Sequence, residues 1–476
     1  MSSSKKTILL TGATGHMGRA TLRELMARSE RFRVKALVLE RERGHAALRP
    51  YQGHPDLEIV WGDLRHYDDV YRAVQGVDQV LHIGGMVSPL ADWHPELTMA
   101  VNVGGAQNIV RAIHEQGRTQ DIRLVYIGTV AQTGHRAAPV HWGRTGDPIK
   151  ISAYDHYALS KTRAEAVIAE SGIRHWVSLR QTGIAHLDIW KTFDPIMFHS
   201  PFNGVLEWVT VNDSGRLAAN TCEDRVPDAF WRGFYNISGG EAMRVVNHEF
   251  AHALASAVGQ SDWRGSYRPH WFATRNFHGQ WYTDADRLQS LVPFRQETLQ
   301  DYVRQLRESV PLYIKLAARL PASLGRRRIQ KLAESEGGPL YWLTHGDEAR
   351  IEAYFGSREA WQRLPRDWDK IELEQPSRVP ARLEHGYDES SAMADLTADQ
   401  LRRAARFRGG SFDQALVDDP FVPARWTCAL GHAFGLSPNL LLKGGHWCPH
   451  CMSDSASYQA VAARSSFFAQ VWRDGT

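Results

Sequence analysis

The chain has 476 residues, 43% of them apolar and 23% charged, with a formal net charge of +3. These are values of an ordinary soluble globular protein and exclude wholesale disorder, collagen and coiled coil. No run approaches the roughly 18 consecutive apolar residues of a transmembrane segment, the small net charge predicts no nucleic acid partner, and only four cysteines exclude a disulfide scaffold and fit a reducing cytoplasm.

In chain order, the first three hundred residues alternate strands and helices. Thr7–Leu10 reads as a strand, and the few residues before it carry no leader-like apolar stretch. A glycine-rich turn leads into helical Arg19–Ala27. Strands follow at Val34–Leu39 and Glu58–Trp61, a helix at Asp68–Val74 closed by Gly76, and a strand at Val80–Ile83. Val101–Glu115 reads as one helix stopped by Gly117, Leu124–Ile127 as a strand, Tyr157–Glu170 as a helix ahead of Gly172, and His175–Leu179 as a strand. The alternation predicts an α/β fold, a doubly wound parallel sheet of Rossmann type covered on both faces.

From about residue 193 the pattern breaks into short mixed elements, as in a smaller substrate lobe, and it gives out near 310. The expected organisation is a 5–310 domain (5–190 mainly dinucleotide-binding, 190–310 mainly substrate lobe), a mainly helical extension over 311–425 and a small module over 426–476. Pro311–Ala333 is basic and amphipathic, with Arg326, Arg327 and Arg328 between apolar positions. Solvated helix faces carry this pattern most often; helices lying on a membrane surface or a partner carry it too. Arg363–Pro380 has the composition of irregular chain, and Thr397–Arg406 reads as a helix stopped by Gly409-Gly410.

Thr11-Gly12-Ala13-Thr14-Gly15-His16-Met17-Gly18 joins the first strand to the first helix. Glycine is needed where such a turn is tight, where backbone approaches a pyrophosphate and where the helix packs on the sheet, while the free N–H groups of the helix start hold phosphate. At a first βα junction this turn predicts a nucleotide site. Glu40 lies near the ~20-residue spacing of an acid that grips the ribose 2′-hydroxyl of NAD, whereas Arg41 and Arg43 suit the 2′-phosphate of NADP. The expected cofactor is NAD(P), with NAD slightly favoured. Asp63 is placed to accept from the adenine amino group or to cap the next helix.

Tyr157 and Lys161 stand at i and i+4 of a predicted helix, on one face. A nearby ammonium favours phenolate, so Tyr157 can serve as general acid or base at a carbinol oxygen. With Thr11–Gly18, Gly62-Asp63-Leu64, His82-Ile83-Gly84-Gly85, Asn102–Asn108, Val125–Gly134, Leu179–Ile184, Val209–Asp213 and Phe234–Gly240 in one order, residues 5–310 resemble the extended short-chain dehydrogenase/reductase superfamily, in its epimerase/dehydratase-like branch. The resemblance implies that Tyr157 is the general acid/base. Lys161 would lower its pKa and hold nicotinamide ribose hydroxyls, and Thr129, in place of the usual Ser, would bond the substrate oxygen. It also implies cofactor contacts from Gly12, Thr14, Gly15, His16, Met17, Gly18, Glu40, Asp63, Leu64, Ile83, Gly84, Gly85 and Asn102, the last more structural than proton-carrying. Gly84 and Gly85 replace the usual Ala pair, and Arg180-Gln181 replaces the commoner Arg-Pro. A homodimer through sheet-flanking helices is implied as well.

Trp426-Thr427-Cys428-Ala429-Leu430-Gly431-His432 and Gly445-His446-Trp447-Cys448-Pro449-His450-Cys451 form two short knuckles. Cys428, His432, Cys448 and Cys451 together predict a tetrahedral structural Zn²⁺, with His446 and His450 as rival fourth ligands. The arrangement resembles treble-clef and zinc-ribbon modules. Four protein ligands leave no open position for catalysis, and Lys443 alone as a basic residue between Cys428 and Cys451 favours a scaffold or protein contact over nucleic acid. Cys222, without a partner motif, is expected to be a small buried residue.

The expected function is an NAD(P)-dependent oxidoreductase interconverting a hydroxyl and a carbonyl on a small-molecule substrate. Val130-Ala131 supplies no acid of the kind a dehydratase needs. The alternatives are a nucleotide-sugar epimerase or dehydratase with recycled cofactor, and a nucleotide-binding sensor or scaffold acting through the zinc module.

Overall fold

Ile8, Leu9 and Leu10 point alternately to opposite faces of a sheet, yet all three are fully buried. A strand can do this only where both faces are covered. The computed structural model describes residues 5–191, 193–414 and 418–472. At its centre lie β1 (Lys6–Thr11), β2 (Phe32–Val38), β3 (Leu57–Trp61), β4 (Gln79–His82), β5 (Arg123–Thr129), β6 (His175–Gln181) and β7 (Gly233–Ile237). They form one sheet in the order β7-β6-β5-β4-β1-β2-β3, with every pairing parallel. The direction of winding reverses between β1 and β4. That switch point opens the crevice at the carboxyl ends of the strands, where such sheets bind ligands.

One face of the sheet carries α1 (His16–Met26). The other carries α2 (Tyr67–Val74), α3 (Gly105–Glu115) and α4 (His156–Ala169). The stretch expected as one helix from Val101 begins earlier: Pro95–Met99 is α-helical, Ala100–Gly104 widens into a π turn, and α3 continues from Gly105. Such turns inside helices recur at functional sites, and this one carries Asn102. The start of α4 is fixed by Asp155, whose side chain accepts from the Ala158 N–H.

The smaller lobe holds short strand pairs, Ile184–Ala185 with Val209–Thr210 and Val205–Glu207 with Arg244–Val246. It also holds α5 (Val211–Asn220), whose Leu217 packs back into the α1 face of the sheet, α6 (Asn247–Val258) and α7 (Leu299–Ser309). The extension continues as α8 (Leu312–Ala317), α9 (Ala322–Ala333), α10 (Pro339–His345) and α11 (Glu348–Phe355). Ile351 and Phe355 share a buried cluster with Ala273 of the lobe. A mostly irregular strap then crosses the molecule. The Trp368 indole donates to the Tyr267 carbonyl at 3.0 Å, and the Ser377 carbonyl accepts from His141 and Trp142 at 2.9 and 3.0 Å. His385 meets buried Asp147 at 2.9 Å, beside an Arg136–Asp147 pair at 2.6 Å.

After α12 (Ala398–Phe407) the chain forms β8 (Ser411–Phe412), β9 (Ala424–Thr427) and β10 (Ala433–Leu436), an antiparallel sheet, followed by α13 (Pro438–Leu442) and α14 (Pro449–Met452). Trp426, Phe434 and Leu440 belong to the same buried cluster as Leu124, Ile168 and Trp176 of the large sheet's α4 face. The C-terminal module therefore shares a hydrophobic core with the dinucleotide-binding region. Cys222 is fully buried, and burial pushes its thiol up to about 12.

Candidate active site and metal centre

The glycine turn is sterically determined. Gly12 adopts φ +71°, and a Cβ there would meet Gly84 Cα at 2.7 Å; a Cβ on Gly18 would sit 1.8 Å from the Gly12 carbonyl oxygen. At the start of α1 no side chain caps the free N–H groups and no acid stands in the first turn. A phosphate would satisfy those donors, so the turn fits the pyrophosphate of a dinucleotide. Thr11 Oγ1 accepts from the Gly84 N–H at 2.9 Å and lies 3.1 Å from His82 Nδ1, tying β1 to the β4 end. Burial and then Lys161 hold His82 down to about 3, a neutral imidazole.

Around the turn, Thr14 donates to Glu42 at 3.1 Å, and Glu40, two-thirds exposed, pairs with Arg43 at 2.6 Å. Asp63 does not cap α2, whose N-cap is His66; it holds Arg65 through Nε and Nη2. His16 stacks on His186 with ring centroids 4.0 Å apart, and Arg19 pairs with Asp188 at 3.0 Å, so the phosphate turn touches the smaller lobe. Leu64 fills the space against Gly84 and Gly105.

Tyr157 and Thr129 meet through their hydroxyls, from α4 and from the end of β5. Burial pushes the Tyr157 phenol up to about 12; the Thr129 bond works against this, and Asp155 and Asp92 add to it. Lys161, one turn further along α4, lies under the ring of Tyr126 with its Nζ 4.3 Å from the centroid. Burial lowers this ammonium to about 7, with Glu165 opposing. In this environment desolvation, which disfavours both charged forms, outweighs the phenolate-favouring ammonium anticipated from spacing alone.

Asn102 is a brace. Its Oδ1 accepts from the Met86 N–H at 2.8 Å, and its Nδ2 donates to the Met86 carbonyl at 3.0 Å and to Ser160 Oγ at 2.8 Å. It thus pins the loop after Gly85 to α4.

Sequence reasoning missed a buried network just behind the Tyr–Lys pair. Glu165 accepts from Arg180 Nε and Nη2, Gln132, Ser178 and His446. Arg180 donates in turn to the Gly444 carbonyl at 2.6 Å. Helical spacing puts Glu165 one turn past Lys161, but nothing local announces partners from the C-terminal module.

A cavity opens at the N-terminus of α4, also unforeseen. Asp92, whose carboxylate accepts from the Tyr157 N–H at 3.2 Å, lines it together with Asp155 and Asp194. Its aromatic wall comes from Trp93 and Phe277 and, across the extension, from Trp342 and Tyr354, whose rings are tilted with centroids 4.6 Å apart. Among the described lining residues Arg350 is the one Lys or Arg; it is held by Asp347 at 2.6 Å and lies over Tyr154.

Four side chains of the two Cys/His knuckles converge. His432 Nδ1 lies 3.5, 3.5 and 3.4 Å from the sulfurs of Cys428, Cys448 and Cys451, and the Cys428 and Cys451 sulfurs are 3.8 Å apart. Tetrahedral Zn²⁺ with bonds of about 2.3 Å to sulfur and about 2.0 Å to nitrogen requires edges of about 3.8 and 3.5 Å, so the four donors fit that ion. The rival His446 points away, to Glu165, and His450 stays outside with its ring 5.1 Å from that of His432.

A Rossmann-type crevice with an uncapped phosphate turn and a Tyr/Lys/Thr cluster at its mouth defines the class of dinucleotide-dependent short-chain enzymes. Residues 8–180 match the NAD dependent epimerase/dehydratase family. A 3 beta-hydroxysteroid dehydrogenase/Delta 5-->4-isomerase of Mycobacterium tuberculosis is 28% identical over 279 residues, 53% of this chain and 70% of that protein. Sterol demethylase protein B of Methylococcus capsulatus is 30% identical over 136 residues, 29% of this chain and 39% of that protein. The crystal structure of DesIV, a dTDP-glucose 4,6-dehydratase from Streptomyces venezuelae with NAD and TYD bound, superposes with a TM-score of 0.51 at 19% identity, covering 64% of this chain and 96% of that one. Residues 8–180, somewhat over a third of the chain, are thus similar to the NAD dependent epimerase/dehydratase family, and the parallel sheet has the fold of that family's dinucleotide-binding half.

Proposed function

We propose that this enzyme is an NAD(P)-dependent oxidoreductase that interconverts a hydroxyl and a carbonyl on a small, uncharged, ring-bearing substrate. The observation that carries the reading is the contact of the Tyr157 and Thr129 hydroxyls, with Lys161 one helical turn along α4 and with the preceding residues Asp155 and His156 lining a cavity. The chemistry that a nicotinamide cofactor would supply here, when bound, is hydride donation or acceptance. Tyr157 gives or takes the proton at the substrate oxygen, Thr129 bonds that same oxygen, and Lys161 holds ribose hydroxyls. Asp92 and Asp155 bond the first N–H groups of α4 and so fix the start of the helix that carries the phenol. Glu40 and Glu42 after β2 support NAD over NADP, since a second phosphate there would face carboxylates.

Three carboxylates and one engaged guanidinium in the cavity oppose a nucleoside diphosphate, and no acid follows Thr129, so a sugar epimerase or dehydratase is the weaker reading. The relative named as a hydroxysteroid dehydrogenase supports redox chemistry on an uncharged ring system. We assign a structural Zn²⁺ to Cys428, His432, Cys448 and Cys451, and a homodimer through α2 and α3, because the module already packs along α4, with Arg163 bonded to Ser453 and Glu170 to Ser437.

The test follows nicotinamide absorbance with a panel of hydroxysteroids and with UDP-glucose. Tyr157→Phe should lower turnover of the active alcohol by ~10²–10⁴-fold with unchanged NADH affinity. Turnover equal to wild type, or activity on the nucleotide sugar alone, overturns the reading.

A further inference from the structure

The extension carries charge and apolar surface that the reaction does not use. Between positions 309 and 333 stand Lys315, Arg319, Arg326, Arg327, Arg328 and Lys331, and no acidic residue. A chain whose net charge is +3 therefore concentrates six positive groups in this one stretch. Arg326 is tied to the Gly265 carbonyl, while Arg319, Arg327, Arg328 and Lys331 are exposed.

The same stretch exposes large apolar side chains in helical register. Leu312 is 70% exposed, Tyr313 67%, Leu316 53% and Leu320, just past the end of α8, 58%. Positions 312, 313, 316 and 320 fall on one face. The opposite side of α8 is anchored, since Ile314 packs against the cluster of Phe250, Tyr302 and Leu306. The exposed face is thus presented by a docked helix. Surface leucines occur singly in most proteins; four large apolar side chains on one short face, bordered by cations, mark a contact surface.

The patch leads to the cavity. From α8 the chain enters α9, which packs against Pro195–Phe198, and soon reaches Gly337 in the cavity wall. Arg328 lies over the exposed ring of Phe193, 5.7 Å from its centroid, next to cavity residues Asp194 and Pro195. Trp93 of the cavity wall is half exposed, as is Leu90, which follows the lining residue Pro89.

We propose that α8 and α9 dock the enzyme on an anionic lipid bilayer. The apolar side chains of α8 enter the boundary between headgroups and acyl chains, the basic residues face lipid phosphates, and the cavity mouth opens beside the membrane. The charge argues for this occupant. A protein groove would match one face of α8 alone, whereas apolar insertion flanked by four exposed cations is how an interfacial helix binds anionic lipid. No helix among the described residues is long and apolar enough to cross a membrane, so the attachment is peripheral.

The experiment is flotation of the full chain with phosphatidylcholine vesicles, with and without about 30% phosphatidylglycerol. Wild type should float with the anionic vesicles only and leave them as salt rises, because surface charges are screened over ~10 Å at 0.1 M. Arg319→Gln and Arg327→Gln should each weaken binding about five-fold. Leu312→Ser combined with Leu316→Ser and Leu320→Ser should abolish flotation while NADH binding and the unfolding midpoint stay as in wild type. Equal recovery with and without vesicles overturns the proposal. So does a triple variant that still floats, or one whose only change is a smaller mass by light scattering, which would make the patch a contact between copies.

Discussion

His446 Nε2 lies 2.8 Å from the Glu165 carboxylate, and both side chains are shut off from solvent. Glu165 follows Lys161 by one turn of α4, and His446 precedes Cys448 by two residues. The second Cys/His knuckle is thus tied through this buried hydrogen bond to the helix that bears the Tyr–Lys pair.

Removing that carboxylate should be costly. Glu165→Ala leaves Arg180 buried and unpaired, for a loss of about 3–5 kcal/mol in urea unfolding. Burial alone would raise the Glu165 carboxyl, but Arg180 and the bond from His446 outweigh it and hold the group well below the usual carboxylate range. A carboxylate depressed in the native state contributes stability above its unfolded pKa of about 4.3 and loses it as pH falls below that value. Wild-type stability should therefore drop below about pH 4.3 more steeply than that of Glu165→Gln.

Metal analysis should find one zinc per chain, and Cys448→Ser should remove it. The module shares its core with the large sheet. Zinc loss should therefore lower the whole thermal transition without splitting it, by at least several kcal/mol given the roughly 10–16 kcal/mol of structural zinc in isolated modules. A module that melts separately while the rest keeps its midpoint would contradict this.

Two glycines near each other should respond oppositely. A Cβ on Gly85 would lie 2.7 Å from Asn102 Oδ1, so Gly85→Ala must displace the brace and should cost about 1–3 kcal/mol and weaken NADH binding. A Cβ on Gly104, in the neighbouring π turn, would meet nothing within 4 Å, and Gly104→Ala should be neutral or stabilising by about 0.4–1 kcal/mol.

Lys161 should make stability depend on pH. Its ammonium is lowered to about 7 in the native state against about 10.4 unfolded, so between these values the unfolded chain binds the extra proton and stability rises with pH. Lys161→Met should remove that slope of about 1.4 kcal/mol per pH unit. The variant should gain on wild type as pH falls from 10 to 7, with the difference flat below 7.

The sheet, the tight glycine turn and the clustering of Cys428, His432, Cys448 and Cys451 were legible because each is a local matter. The unbroken apolar run Ile8, Leu9 and Leu10, the three glycines at 12, 15 and 18, and two knuckles of Cys and His are written in a few adjacent residues. The π turn at Ala100–Gly104 was not legible, since its composition suits an unbroken helix. Nor were the partners of Glu165, the aromatic wall from Trp342 and Tyr354, or the strap contact of His385 with Asp147. These join residues far apart in the chain, through segments whose irregular sequence has no periodicity to read. The choice of His432 over His446 needed the fold as well, because spacing admitted both and only the buried carboxylate of Glu165 claims the latter.

The bond between His446 and Glu165 spans 281 positions. During synthesis at ~5–20 residues per second, the helix with Tyr157 and Lys161 leaves the ribosome roughly 15–55 s before the histidine that braces it. For that interval Glu165 and Arg180 have only each other and their near neighbours, and the apolar face of α4 waits uncovered. The enzyme is finished from its far end, so its nascent form must be kept from aggregating until the last knuckle has closed.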